Sequence, residues 1–491
     1  MTTRFPDLPN YQGFKSPGRF EADIYDMEID GDLPPGLSGT YYRVGPDPQF
    51  PPRLGTDIFF NGDGMVSMFR FDGGHVDYRQ RYVRTEKFER ERAARRALFG
   101  AYRNPFTDDP SVAGLIRGTA NTNVVYHGGK FLALKEDSPP VSMDPDTLET
   151  EGSWDFHGDL SSKTFTAHPK VDPVSGEMVC FGFAAKGETT PDIAYYVVDS
   201  AGKVVHEVWI EAPYSGMVHD FAVTEDYVAF PIVPITSNLE WLKRGESHYK
   251  WDPNREVFIG VLPRRGEASD LRWFRGPCRY MTHIFNAFNE GNRIFIDAPV
   301  AMGNPFPFFP DVTGAPFNLM KSAPHVTRWT VDLGRDGDAF EQDQLCDAIC
   351  EFPRVDDRRA VLPHRHGYMS VFDYTKPWDL AKAPVRPEMY FNTIGHFDFA
   401  THELTGWFVG DTGDLEEVEF VQRSPEAPEG DGYLFALVNR HDEHRTDLVI
   451  LDTARISEGP VATARLPFRL RSGLHGRWVP GWQLPPAPIA R

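Results

Sequence analysis

The chain has 491 residues, 41% hydrophobic and 25% charged, a balance that excludes a wholly disordered or collagen-like polymer. A formal net charge of −20 offers no basic footprint for nucleic acid and no attraction to an anionic membrane. Cys180, Cys278, Cys346 and Cys350 are too few for a disulfide scaffold and form no CxxC pair, so a reducing, cytoplasmic setting is expected.

Taken in chain order, the N-terminal MTTRFPDLPNYQGF lacks an apolar h-region, and no secretory signal is expected. Residues 65–72 and 75–84 read as strands around Gly73-Gly74, a hairpin signal. After Thr85, a possible N-cap, residues 86–102 read as a helix with an apolar stripe of Phe88, Ala94, Leu98 and Tyr102. Strands are then expected at 130–135 and 177–183, and at 194–198 and 203–210 around a turn from Asp199 to Gly202. Further strands are expected at 227–233, 256–262, 292–297, 327–332, 406–409, 432–439 and 446–452. The Phe- and Pro-rich segment 304–317 reads as a cap loop or tunnel wall. No run of about 18 uncharged apolar residues is present, so no membrane-inserted helix is expected.

Glycine (43) and proline (42) are spread throughout, which suits many short strands joined by turns. No break in composition marks a domain boundary, so residues 1–491 are read as one all-β domain. A propeller is the natural closed form for so many antiparallel strands, with long insertions building a cap over one face.

The chemistry is carried by histidine. No GxxxxGK[ST], HExxH or GxSxG motif occurs, so nucleotide binding, zincin chemistry and serine hydrolysis lose their usual support. His441-Asp-Glu-His444 reads as a solvated hairpin turn rather than a metal clip, and His364-Arg-His366 as a rim strand. His168, His219, His283 and His475 differ from these. Each is flanked by small or apolar residues and lies near a strand start or a turn, as ligands delivered from separate blades to one axis would. Taken singly, each reads more readily as a satisfied, partly buried histidine than as a ligand.

Eight segments carry a resemblance: GLSGTYYRVGPDPQF (36–50), FNGDGMVSMFRF (60–71), DPDTLET (144–150), TAHPKVDPVSGEM (166–178), MVHDFAVTEDYVAFP (217–231), HIFNAFNEGNRIFID (283–297), EFPRVDDR (351–358) and LHGRWVP (474–480). Together they resemble the carotenoid cleavage oxygenases, and among these the bacterial lignostilbene-cleaving dioxygenases. The resemblance implies a seven-bladed β-propeller whose loops and short helices cap the face carrying one Fe(2+), with O2 as co-substrate. It implies His168, His219, His283 and His475 as iron ligands. It implies Glu136, Glu351 and Glu417 as carboxylates holding three of the ligands' other ring nitrogens, with His168 the ligand left without one. Thr122 matches a position beside an open iron coordination site. A homodimer is a further expectation of the family.

The substrate reading rests on Lys135. A lysine in an apolar tunnel has no use for a hydrocarbon polyene but suits a phenol. By resemblance, Lys135 and Tyr102 hold a 4-hydroxyl and Phe60 packs on the substrate ring. The expected reaction is scission of the interphenyl double bond of a 4-hydroxystilbene by O2 to two aromatic aldehydes. The alternatives are apocarotenoid cleavage with the same iron, and a propeller serving only as a binding scaffold, which requires neither iron nor the four histidines.

Overall fold

Runs rich in Val, Ile, Phe and Tyr, buried along their length in strands such as Gly39–Pro46 and Met178–Phe183, give this protein regular structure that is mostly antiparallel strand. In a computed structural model, which describes residues 4–387 and 390–485, the described chain is all-β with few and short helices. No helix among the described residues is long and apolar enough to cross a membrane. All four cysteines are free thiols.

The chain divides into two compact units. The first comprises the described residues up to Asp155, Tyr374–Ile394, and those from Gly406 onward. It holds three sheets. One runs Ala22–Ile24, His75–Tyr82, Gly64–Asp72, Gly39–Pro46, Gly476–Pro480. A second runs Glu28–Gly31, Pro460–Arg465, Arg445–Asp452, Gly432–Arg440, Gly413–Gln422. In both, strands from early in the sequence pair with strands made more than 400 residues later (Tyr41 with Trp478, Ile29 with Ala464). The third sheet is Asn123–His127, Lys130–Leu134, Val141–Met143, Thr150–Ser153. The core between the first two is aromatic. Phe435, fully buried, lies 5.3 Å from Phe71 and 5.4 Å from Trp478 between ring centroids. Each such pair adds about 0.5–1.5 kcal/mol beyond the area it buries.

The second unit holds two four-stranded sheets, Lys170–Val171 to Val204–Glu211 and Ala222–Val223 to Arg272–Gly276. It also holds the two-stranded Ile235–Ser237/Tyr249–Trp251 ribbon and most of an eight-stranded sheet from Tyr280–Met281 to Glu403–Phe408. Here the Phe-rich 304–317 segment folds on itself, with Phe309 buried and 4.8 Å from Phe308 and 5.4 Å from Phe306.

The Gly73-Gly74 hairpin forms as expected. Asp72 pairs with His75, and both glycines have positive φ (58° and 85°), the conformation a two-residue type I′ turn requires. The helix expected at 86–102 does not. It spans Glu86–Ala94, capped by Thr85 Oγ1 accepting from Phe88 N, and stops at Arg95 in the left-handed conformation. Two devices divert the chain. Glu91, buried, accepts the amides of Leu98 and Phe99, and Asp108 accepts that of Gly100. Ala94 is therefore exposed, and Tyr102 reaches the interior from a loop rather than a helix. Nor is the charged face wholly solvated: Lys87 is buried between Asp63 (2.8 Å) and Glu91 (2.9 Å).

Candidate active site

Each of the four histidines precedes an edge or short strand by one to three residues, where the chain has not yet entered the ladder and the side chain is free of the alternation rule. His168 precedes Lys170–Val171, His219 precedes Ala222–Val223, His283 precedes Asn286–Glu290 and His475 precedes Gly476–Pro480. Thr166 Oγ1 accepts from His168 N at 2.9 Å and fixes that approach. His168, His283 and His475 are buried and His219 is partly so. One ring nitrogen from each of the four lies within 4.8 Å of the others.

Within the second unit the packing is tighter. His219 Nε2 stands 3.1 Å from Nε2 of both His168 and His283. The three rings are mutually tilted by 62–67°, with centroids 4.6–5.0 Å apart. Carboxylates set the tautomers of two histidines. Glu351 Oε2 accepts from His283 Nδ1 at 2.6 Å, and Glu417 Oε1 accepts from His475 Nδ1 at 2.8 Å. A neutral imidazole that donates from Nδ1 presents a bare lone pair at Nε2. Converging lone pairs repel unless a cation lies among them. A first-row divalent ion with nitrogens about 2.1 Å away spaces right-angle neighbours about 3.0 Å apart, close to the observed separation. The donor set therefore fits a metal that keeps further positions open.

Both carboxylates are aimed by the same backbone device. In the strand Glu341–Val355, Glu351 pairs with Ser370 but Arg354 with Tyr368, so the strand carries one extra residue. Phe352, at the bulge, adopts φ 53°, its amide donates to Glu351 Oε2 at 2.6 Å, and its ring stacks 5.6 Å from His283. In Gly413–Gln422, Leu415 pairs with Val438 but Val418 with Ala436, again one extra residue. Such bulges re-aim side chains. Here the bulge lets the adjacent Glu416 and Glu417 both point inward. Glu416 accepts from Arg43 and from Gly473 N, Glu417 from His475 Nδ1 and Gly476 N, and Glu419 from Trp478 N. Three neighbouring carboxylates thus clamp the backbone around His475, and Glu417 is the one on its ring. Burial raises the pKa of Glu351, but His283 and the Phe352 amide outweigh it and hold the carboxyl below its ordinary value.

In the first unit, Lys135 and Glu136 follow the strand Lys130–Leu134, and both are buried because alternation lapses past the strand end. Lys135 Nζ donates to the Phe60 carbonyl at 3.2 Å and lies 4.9 Å from the centre of the Tyr102 ring. Phe60 and Tyr102 are 6.4 Å apart between centroids. The structure therefore brings Lys135, Tyr102 and Phe60 together. Burial is the largest influence on Lys135 and lowers its pKa. Glu136 lies with its carboxylate 4.0 Å from the Arg103 guanidinium. Thr122 is buried, its hydroxyl donating to Asn121 Oδ1 at 3.0 Å.

Sequence reasoning missed Asn121. Wholly buried, it donates to the carbonyls of Phe60 (2.9 Å) and Gly62 (2.6 Å) and so holds the turn that carries Phe60. An asparagine that braces carbonyls distant in sequence leaves no local pattern.

The family described as RPE65, retinal pigment epithelial membrane protein, matches residues 15–480. The chain is 48% identical to an isoeugenol monooxygenase of Pseudomonas putida, covering 97% of this chain and 99% of that one. It is likewise 48% identical to the lignostilbene-alpha,beta-dioxygenase isozyme III of Sphingomonas paucimobilis, covering 98% and 99%. The crystal structure of Pseudomonas brassicacearum lignostilbene dioxygenase matches with a TM-score of 0.95 at 46% identity, covering 98% of this chain and 100% of that one. The grouping of four histidines thus meets a similarity that runs the length of the sequence, and the chain belongs to the RPE65, or carotenoid oxygenase, family.

Proposed function

We propose that this protein is a non-haem iron(II) dioxygenase that cleaves the interphenyl double bond of 4-hydroxystilbenes to two aromatic aldehydes. The observation that carries the substrate class is the buried Lys135, its Nζ over the Tyr102 ring beside Phe60. A buried ammonium with one carbonyl acceptor suits a ligand that brings an acidic oxygen, and a carotenoid brings none.

His168, His219, His283 and His475 would hold the iron, with Glu351 and Glu417 fixing two ring orientations and Glu136 a third by resemblance. Iron(II) held there supplies the chemistry by which O2 reacts with the alkene. The rest falls to the chain's own side chains. Lys135 Nζ and Tyr102 Oη hold the phenol oxygen, and burial lowers the Lys135 pKa, which eases release of its own proton so that the amine can take up the phenol's. The resulting ammonium–phenolate pair sends electron density through the ring to the double bond, while Phe60 packs on the ring. By resemblance, Thr122 would lie beside the metal, on the side where O2 would approach.

Seven blades are supported by the sheets themselves: two of five strands, three of four, and one of eight that counts as two blades of four. The remaining loops and helices form the cap, and residues 1–491 one domain. Free thiols at all four cysteines favour a reducing compartment such as the cytoplasm.

The test is aldehyde release in air by iron-loaded protein given a 4-hydroxystilbene, its 4-methoxy analogue, isoeugenol and an apocarotenal. Cleavage of the free phenol with an inert methoxy analogue is expected. Cleavage of the apocarotenal with inert phenols would overturn the substrate class. Isoeugenol is included because the similarity to an isoeugenol monooxygenase is as high as that to a lignostilbene dioxygenase. Its turnover would extend the substrate class to propenylphenols, which share the phenol end.

A further inference from the structure

We propose that Asp220 is a positioning residue that sets the mutual placement of His168, His219 and His283. It is 2% exposed and next to His219 in sequence. One of its oxygens, Oδ1, lies 2.6 Å from Nζ of Lys170, two residues after His168, and also accepts from Phe221 N at 2.8 Å. The other, Oδ2, accepts from the amide of Ile284 at 2.9 Å, one residue after His283. One buried carboxylate therefore bolts together three segments far apart in sequence, each within two residues of a histidine.

The arrangement matters because each segment has little regular structure beside its histidine. Lys170–Val171 and Ala222–Val223 are two-residue strands, and His283 sits in the gap between Tyr280–Met281 and Asn286–Glu290. Glu351 orients the His283 ring but does not touch the chain at 168 or 219 in any contact described above. Asp220 acts on the backbone and on Lys170, one layer behind the rings. A carboxylate suits the task because ammonium and amides are all donors, and its two oxygens accept from three of them. An amide at this position would turn an NH2 group toward either Lys170 or the Ile284 amide.

This inference rests on reading the four histidines as metal ligands, and the experiment separates the two. The probe is Co(II), followed by competition with a chelator and by its visible d–d bands. Wild type is expected to bind one Co(II) per chain and His219→Ala to lose it. If wild type takes up none, or His219→Ala binds as wild type does, the ligand reading itself fails. Given wild-type binding, Asp220→Asn is expected to bind about 10- to 100-fold more weakly, with shifted d–d bands and a metal-free unfolding midpoint close to wild type. Unchanged affinity or unchanged bands in Asp220→Asn overturns the proposal. Should Asp220→Asn fail to fold, Lys170→Met and Lys170→Arg decide. Weakened binding with shifted bands in the first, restored in the second, supports the proposal. Wild-type affinity in Lys170→Met, or no restoration by arginine, overturns it.

Discussion

Lys135→Met should lower activity and raise stability together. The side chain is 3% exposed, and its Nζ has the Phe60 carbonyl at 3.2 Å and the face of Tyr102 at 4.9 Å. Burial, the largest influence, lowers its pKa against the partial opposition of Asp137 and Glu136. The folded state thus holds this proton less tightly than the unfolded chain does. The cost of the charge is fully present below the folded pKa and is relieved as pH rises toward 10.5, the ordinary lysine value. Methionine has similar length and no charge, so the variant should be more stable than wild type at pH 7. The two unfolding curves should converge as pH rises through that window. For activity, the variant loses one charge-assisted hydrogen bond to the phenol oxygen, worth about 1.5–3 kcal/mol. That corresponds to a fall of roughly 10- to 150-fold in kcat/KM. Parallel urea titrations at several pH values and initial rates with a 4-hydroxystilbene measure both. A variant that is less stable at pH 7, or keeps wild-type kcat/KM, refutes the reasoning.

Glu417→Gln weakens the hydrogen bond that fixes His475, and metal affinity should fall about 10- to 100-fold in a chelator competition, with Glu416→Gln affecting the fold through Arg43 instead. Burial lowers the Lys87 pKa, but Asp63 and Glu91 outweigh it and hold it well above its ordinary value, and Lys87→Met leaves both carboxylates buried without their shared cation. Such a loss costs about 3–5 kcal/mol, seen as a lower urea midpoint with metal stoichiometry intact.

The sequence was most readable where one residue decides local geometry. Two adjacent glycines define the turn at 73–74 down to its register, and apolar runs locate strands to within a few residues, as at Gly432–Arg440 and Arg445–Asp452. The four histidines stood out because a titratable ring among small and apolar neighbours is unusual. What was unreadable depends on contacts between distant residues. Helix propensity runs on past Ala94, yet Glu91 and Asp108 capture the following amides and turn the chain, so tertiary bonds override it. The bulges at Glu351 and Glu417 break the two-residue period that a strand reading assumes, and only resemblance singled out these glutamates. Asp220 reads as an ordinary acid after a histidine, because its partners are 50 and 64 residues away.

The pairing of Gly39–Pro46 with Gly476–Pro480 bears on how the protein is made. At ribosomal rates of about 5–20 residues per second, the early strand waits roughly 20–90 seconds for its neighbour. Throughout that time one hydrogen-bonding edge of Gly39–Pro46 is open, and His475 does not yet exist. A chain stopped by a nonsense codon between residues 283 and 475 would carry three of the four histidines and an unsealed sheet. Completion of the histidine cluster and closure of the sheet are thus both deferred to the same short stretch of sequence.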